Sequence, residues 1–458
     1  MTAVYGFRVK KTYRNQPPLG IGYIAALLRE HGIAVSLIDA EARGWDIPTT
    51  VAAIAAEKPD IVGITSISME APSAYALARE LETRVDALLV LGGPHASAWH
   101  EEIPAQCPEL DVVVAGEGEH TMLDICRVVA AGESLEGIPG LRCHKDDGTW
   151  TDLIERAPVP NIDDLPPPAY DLYEHSLYRP LPHRQKRLPS TCMITSRGCS
   201  FGKCIYCEMS AMVRRNYRRH SPKRVVSEMT DLIRLTGARD IYFQDDIFIT
   251  DKEWMEEFCD RIEAASFDVI WSCESRFNGV SESLFRRMHR AGCWRIYFGI
   301  ESGDQKLLDR MCKGFTVQEA RDAVARARRA GLEVVGFFML GLPGATRECE
   351  EATVRLALDM GLEHAMFSLT VPHANTALYR VCEQHGTIFS DHEFNLKRAA
   401  YIPDGYGSRE ELEAFQGEAY RRFYLRPRYF LERLAAIRSL SDIAYLARGV
   451  LALPRFLH

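Results

Sequence analysis

Residues 1–135 alternate short apolar runs with amphipathic stretches. The β-rich runs at 3–7, 34–40, 60–67, 87–93 and 111–119 predict strands. Between them, 18–32, 47–58, 73–85 and 120–132 carry apolar residues at helical spacing. Continuous apolar strands separated by such helices predict a parallel sheet covered on both faces. That is the doubly wound, Rossmann-like α/β plan, which takes ligands at the carboxyl ends of its strands. The turns predicted there are Ser66-Ile67-Ser68, Gly92-Gly93-Pro94-His95 and Gly116-Glu117-Gly118-Glu119. No GxGxxG opens the first helix, so a nicotinamide site has no support. Residues 140–153 read as a hairpin turning at Asp147-Gly148, and the Pro-rich stretch 157–173 reads as a linker. The tail, 396–458, is helical in pattern, with 421–437 its strongest element.

Composition narrows the class. Of 458 residues, 47% are apolar and 26% charged, ordinary for a globular chain of several domains. No apolar run approaches the ~18 residues a membrane span needs. The first fifteen residues lack an apolar core and do not read as a signal peptide, so the expected location is cytoplasmic. A net charge of -8 argues against a general nucleic-acid binder. The basic run holding Arg214, Arg215, Arg218 and Arg219 reads as a solvated loop rather than an RNA patch.

Thirteen cysteines include ten scattered ones, several in apolar runs where thiols act as small hydrophobes. The other three, Cys199, Cys204 and Cys207, stand together in CSFGKCIYC. Three cannot pair as disulfides without a remainder. Structural zinc usually takes four protein ligands, and no fourth Cys or His lies nearby. Three thiolates on an iron–sulfur cluster leave one iron open to an outside ligand.

A strand running into this loop, with Tyr206 just before the last cysteine, resembles the radical S-adenosylmethionine (SAM) superfamily. The spacing is CX4CX2C where that superfamily usually has CX3CX2C, one residue more in a Gly-containing loop. The resemblance continues over 188–395. It implies a partial (β/α)6 barrel with strands at 190–199, 240–250, 269–277, 295–314, 333–346 and 364–379. It also implies a [4Fe-4S] cluster on the three cysteines, SAM on the open iron, and a 5′-deoxyadenosyl radical. Tyr206 would lie beside the adenine. Glu301 and Ser302 would contact the methionyl or ribose end, and Arg276 the carboxylate. Gly341 and Gly344 would let the fifth-strand turn approach the adenine. Without the cysteines, Glu301 would read as a rim salt bridge and the glycines as a simple turn. Asp245 and Asp246 end the second strand, so one faces inward and the other packs outward. The domains read as 1–135, a hairpin and linker at 136–187, the barrel at 188–395, and a helical segment at 396–458 that closes the barrel's open edge or bottom.

The segments PPLGIGYIAALLREHG, LGGPHAS and AGEGE, placed before such a barrel, resemble the cobalamin-binding subclass. Most of that subclass transfers methyl groups through cobalamin. Only sixteen residues precede Pro17, which implies a short first loop and a domain that kept its fold without its corrin; cobalamin therefore stays open. The outline also resembles the radical diol-dehydratases of aminoglycoside antibiotic biosynthesis. The leading expectation is thus a lyase that abstracts hydrogen from a polar amino-sugar and eliminates a neighbouring hydroxyl. Glu208, Tyr217 and Asp245 are its candidate acid/base, hydrogen-donating or substrate-binding groups. A flavodoxin-like or dedicated reductase would supply the electron. A cobalamin-dependent C-methyltransferase is the alternative, and a non-catalytic cobalamin- or cluster-binding regulator a further one.

Overall fold

The computed structural model describes residues 16–145, 147–178, 180, 184–208, 216–373, 376–389 and 398–435. The chain divides into two compact units at 178/179.

In the first unit, β1 (Ile61–Thr65), β2 (Leu88–Gly92) and β3 (Val112–Val114) form a parallel ladder in chain order. The helices Leu19–Glu30, Ile47–Glu57, Ala71–Glu82 and Glu119–Ala131 stand where the periodicity predicts them. Caps explain their ends. Asp46 accepts from the Thr49 N–H at 2.9 Å to start one helix, and left-handed Gly132 ends another. Two differences stand out. Residues 34–38 are not a strand. Ile33 and Val35 pack on Leu27, Leu28 and Leu123, and the segment has no ladder partner among the described residues. The strand expected at 3–7 lies outside the described residues. The hairpin, by contrast, joins the sheet: β4 (Leu141–Cys143) pairs antiparallel with β3.

The second unit is built on six parallel strands paired in chain order. They are β5 (Ser190–Met193), β8 (Asp240–Phe243), β9 (Ile270–Ser275), β10 (Cys293–Glu301), β11 (Glu333–Leu340) and β12 (His364–Leu369). Between the first two, β6 (Ser196–Arg197) and β7 (Arg218–Arg219) make a separate antiparallel ribbon. Crossover helices open on encoded caps at Ser221, Asp251, Ser281 and Thr316, each worth about 1 kcal/mol. Alternation sorts the strand side chains. Phe243 and Trp271 face the helices and pack with Phe248 and Phe258. Tyr242 faces the other way and meets Tyr297 across β9, where Glu274 pairs with Tyr297 in register and accepts from the Tyr242 hydroxyl. Tyr297 in turn stacks on Phe337. These three rings line one face of the sheet below the strand ends.

The sheet does not close: β5 and β12 end the ladder. An open edge leaves backbone groups unpaired. Side chains of the helix Arg409–Tyr424 take some of them. Gln416 donates to the Phe367 carbonyl at 2.7 Å, the Phe367 N–H donates to Tyr420 at 3.1 Å, and Tyr424 donates to the Ala365 carbonyl at 3.0 Å. The stretch 421–437 is not one helix. The first helix stops at Tyr424 and another, Pro427–Ala435, starts on its proline, which lacks the N–H needed to continue the first. Before them, β14 (Tyr401–Pro403) pairs with β13 (Gly386–Ile388). No described helix is long and apolar enough to cross a membrane.

Candidate active site at the barrel rim

The three clustered cysteines lie on an excursion from the barrel's first strand, opened and closed by the β6–β7 ribbon. Residues 209–215 of it, including Arg214 and Arg215, fall outside the described residues. Cys199, Cys204 and Cys207 are half-buried thiols. The Gly202 N–H donates to Cys199 Sγ at 3.4 Å, a contact that suits a thiolate ligand. The Ile205 N–H donates to the Met311 carbonyl at 3.3 Å, and the Leu378 N–H to the Ile205 carbonyl at 3.0 Å, so two barrel loops hold the turn. Among the described residues, no three Cys, His, Asp or Glu side chains converge as ligands of one ion. In a cubane each thiolate binds a different iron, so thiols spaced along one turn, with an N–H already aimed at sulfur, fit a cluster.

Beside the turn, Tyr206, Glu301 and Lys313 form a compact triad. Tyr206 donates to Glu301 Oε1 at 2.8 Å, and Lys313 Nζ lies 3.0 Å from that oxygen and 2.9 Å from the Tyr206 hydroxyl. Glu301 and Lys313 side chains are only 8% and 5% exposed, so each charge depends on the other. Burial, followed by the Glu301 charge, holds the Tyr206 hydroxyl well above its usual range. Glu301 ends β10 with φ +67, after a register shift at Gly299. A left-handed glutamate costs about 1–2 kcal/mol. The hydrogen bonds of the triad hold it there. Lys313 escaped the sequence reading. It sits in an ordinary-looking MCKG turn, and only the fold brings it under Glu301.

The other expected residues separate. Arg276 donates to the Lys313 carbonyl, and its guanidinium stacks 3.7 Å from the Phe201 ring centroid. Ser302 is fully buried and shares a 3.2 Å hydrogen bond with Thr353. Its hydroxyl also accepts from the Asp304 N–H at 3.1 Å, so it shapes the turn after β10. The Gly341 N–H donates to the buried Glu350 at 2.6 Å, while a Cβ at Gly344 would strike the Arg310 guanidinium. Both glycines are left-handed, at φ +73 and +78.

Asp245 is the outward member of its pair. Its Oδ1 accepts from the Thr195 N–H at 2.9 Å, the Thr195 hydroxyl at 3.0 Å and the Ser196 hydroxyl at 2.5 Å. Burial pushes its carboxyl up to about 6. Tyr217 shares a 3.0 Å hydrogen bond with Thr250, which also accepts from Arg219. Arg219 further pairs with Asp251 at 3.3 Å. These groups fasten the base of the cysteine excursion. Asp246 is exposed, yet protein encloses it enough that burial, and then the Glu274 charge, push its carboxyl up to about 6. Glu208 Oε1 lies 3.3 Å from His373 Nδ1. The sequence reading missed His373, although a polar residue just past a barrel strand is a usable signal.

In the first unit, the described residues at the carboxyl ends of the strands form Ser- and Gly-rich turns. Ile67 is 43% exposed after β1. Gly93 has φ +92 after β2, where a Cβ would lie 2.6 Å from Thr65 Oγ1 and 2.9 Å from the Ser66 carbonyl. Gly116, at φ +88 after β3, has open space around it. His95 is buried, with Nε2 2.7 Å from the Tyr75 hydroxyl and Nδ1 3.3 Å from Ser68 Oγ. Burial lowers its pKa to about 4, which keeps it neutral. Both ring nitrogens are engaged, so His95 shapes the edge and is not offered as a metal ligand. Glycine turns and one exposed aliphatic side chain fit the flat face of a large macrocycle.

Comparison with known proteins agrees with this division. Residues 7–125 match the B12 binding domain and 193–357 the Radical SAM superfamily. The chain is 32% identical over 445 residues to an uncharacterised methyltransferase of Pyrococcus horikoshii, covering 94% of this chain and 95% of that one. It is 26% identical to the anaerobic magnesium-protoporphyrin IX monomethyl ester cyclase of Rubrivivax gelatinosus, over 90% of this chain and 74% of that one. The fold resembles the radical SAM methyltransferase TsrM of Kitasatospora setae, solved with cobalamin and a [4Fe-4S] cluster. The TM-score is 0.74 at 16% identity, covering 97% of each chain. These findings overturn the expected sugar dehydration, because relatives that span most of the chain, among them the one 32% identical over 94% of it, are methyltransferases. They also correct the idea of a domain stripped of its ligand class, since the first unit matches as B12-binding. The Ser- and Gly-rich turns at the first unit's strand ends and the cysteine turn at a six-stranded barrel thus have one explanation: the chain belongs to the radical SAM enzymes that carry a B12-binding domain, whose radical SAM part works with a [4Fe-4S] cluster and SAM.

Proposed function

We propose that this protein is a cobalamin-dependent radical SAM methyltransferase acting on a small molecule. The observation that carries this reading is the full-length similarity to a methyltransferase, together with matches to both domain types. Cys199, Cys204 and Cys207 would hold the cluster. When bound, the cluster supplies single electrons to SAM and cobalamin carries the methyl group. The chain's own residues do the positioning. Glu301, fixed by Lys313 and Tyr206, presents a carboxylate that suits the amino group of a methionine moiety. The left-handed turn at Gly341 and Gly344, held by Leu412 and Arg310, would lie on the adenine side of the SAM site. The turns at Ser66–Ser68, Gly93 and Gly116 would receive the corrin, with His95 kept neutral beside them. The substrate class stays at a small molecule, served by a separate one-electron donor.

The reading is tested by following SAM. Anaerobically reconstituted enzyme with hydroxocobalamin, SAM and a chemical reductant should form S-adenosylhomocysteine. That product should vanish when cobalamin is withheld. Abundant 5′-deoxyadenosine with no S-adenosylhomocysteine under all conditions would overturn methyl transfer. It would instead favour a cyclase-like reaction, the second reading that the similarity to the Rubrivivax cyclase supports.

A further inference from the structure

The extra residue of the CX4CX2C turn leaves Phe201 and its neighbours to be accommodated between the first two cysteines. Phe201 does not point away from the barrel. The Arg276 guanidinium lies 3.7 Å over its ring, and Lys203 Nζ lies 5.8 Å from the same centroid. At the ring's edge sits Gly314, at φ +68, where a Cβ would come within 2.8 Å of the Phe201 ring and 3.9 Å of the Arg276 guanidinium. Arg276 is tied down in turn by its bond to the Lys313 carbonyl, and Asn278 donates to the Gly314 carbonyl at 3.3 Å. The loop Met311–Gly314 thus meets the cysteine turn at Ile205, through Arg276, and at Phe201.

We infer that Phe201, Arg276 and Gly314 form a brace that absorbs the inserted residue and fixes the position of Cys204. Arg276 is therefore a positioning residue for the cysteine turn, in place of the carboxylate ligand expected from the sequence. The guanidinium is suited to this. Its plane stacks on an aromatic face while its edge donates, and a lysine cannot do both. Gly314 is required because a side chain would both strike the ring and demand a left-handed backbone. The brace rests on reading the three cysteines as cluster ligands, but its geometry belongs to the polypeptide alone.

The test uses full-length protein stripped of iron, with thiol alkylation by iodoacetamide compared at the high-pH plateau of each thiol, where ionisation no longer limits the rate, and read residue by residue by mass spectrometry. Phe201→Ala and Arg276→Ala should each speed labelling of Cys204 about tenfold, the order expected for losing a desolvated cation–π contact. Phe201→Tyr should keep the native rate, and Arg276→Lys should behave like the alanine variant. Gly314→Ala should act in the same direction. Cys273, fully buried on β9, serves as the internal control and should stay protected. An unchanged Cys204 rate in Phe201→Ala and Arg276→Ala would overturn the brace, as would an equal acceleration at Cys273, which would mean general loosening. Because no cluster is present, failure here leaves the cluster assignment intact. That assignment fails separately if Cys204→Ala protein still assembles a [4Fe-4S] chromophore.

Discussion

The carboxyl ends of the strands are built in opposite ways in the two units. In the first unit the described residues there are sparsely committed: exposed Ile67, open space at Gly116, and one buried neutral histidine. At the barrel rim nearly every group is committed. Glu301 has two partners, Asp245 accepts three hydrogen bonds, and Gly341 and Gly344 are hemmed in by Leu412 and Arg310. A sparsely committed edge can receive a wide planar ligand through backbone and aliphatic contact. A crowded rim can fix a small charged one in a single orientation, because its donors and acceptors are already held in place. The same parallel-sheet logic thus yields one surface that accepts and one that grips.

The comparison can be broken most severely at the rim. Cys204→Ala should abolish the cluster chromophore and all SAM cleavage, while the far-ultraviolet circular dichroism stays native. Next comes the buried pair. Lys313→Met leaves Glu301 buried without its cation and should destabilise the barrel unit by about 3–5 kcal/mol in chemical denaturation. The double variant Lys313→Met/Glu301→Gln should recover part of that loss. If it does not, the pair is not the stabilising contact.

At the first unit's edge, Gly93→Ala forces a Cβ against Thr65 and the Ser66 carbonyl in a left-handed backbone, whereas Gly116→Ala meets only the left-handed penalty. The second should cost about 1–2 kcal/mol and the first more. Equal losses in urea melts would contradict the packing described around Gly93.

A change of pH sharpens the contrast from both sides. Glu350, buried under the Gly341 turn, has its pKa raised from 4.5 to about 8 by burial. Its contribution is fully present below pH 4.5 and is lost as pH rises through about 8. His95 is lowered from 6.5 to about 4 by burial. Its contribution is present above pH 6.5 and is lost as pH falls through about 4. Hydrogen exchange should therefore show the first unit loosening in acid and the barrel loosening in base. Glu350→Gln should flatten only the second trend.

Much of this architecture was legible in the sequence because its signals are local. Helix caps such as Asp46 and Ser221, apolar strand runs and the cysteine spacing each announce themselves within a few residues. What escaped depends on tertiary placement. Lys313 and His373 acquire meaning only when distant loops meet Glu301 and Glu208. Asp245 and Asp246 could be split into inward and outward by alternation, but the choice between them needed the Thr195–Ser196 loop. The run 34–40 has strand composition, yet it finds no ladder partner among the described residues. The reaction was the least legible, because dehydratases and methyltransferases were expected to share this outline and differ in what the first unit's edge receives.

That edge is the place for the most direct test. Purified protein, reconstituted anaerobically and offered hydroxocobalamin, is freed of excess ligand and its visible spectrum recorded. Stoichiometric cobalamin should be retained, and Gly93→Ala should lose it while keeping its cluster. A wild-type protein that retains no cobalamin while still cleaving SAM would contradict the proposed function at its centre.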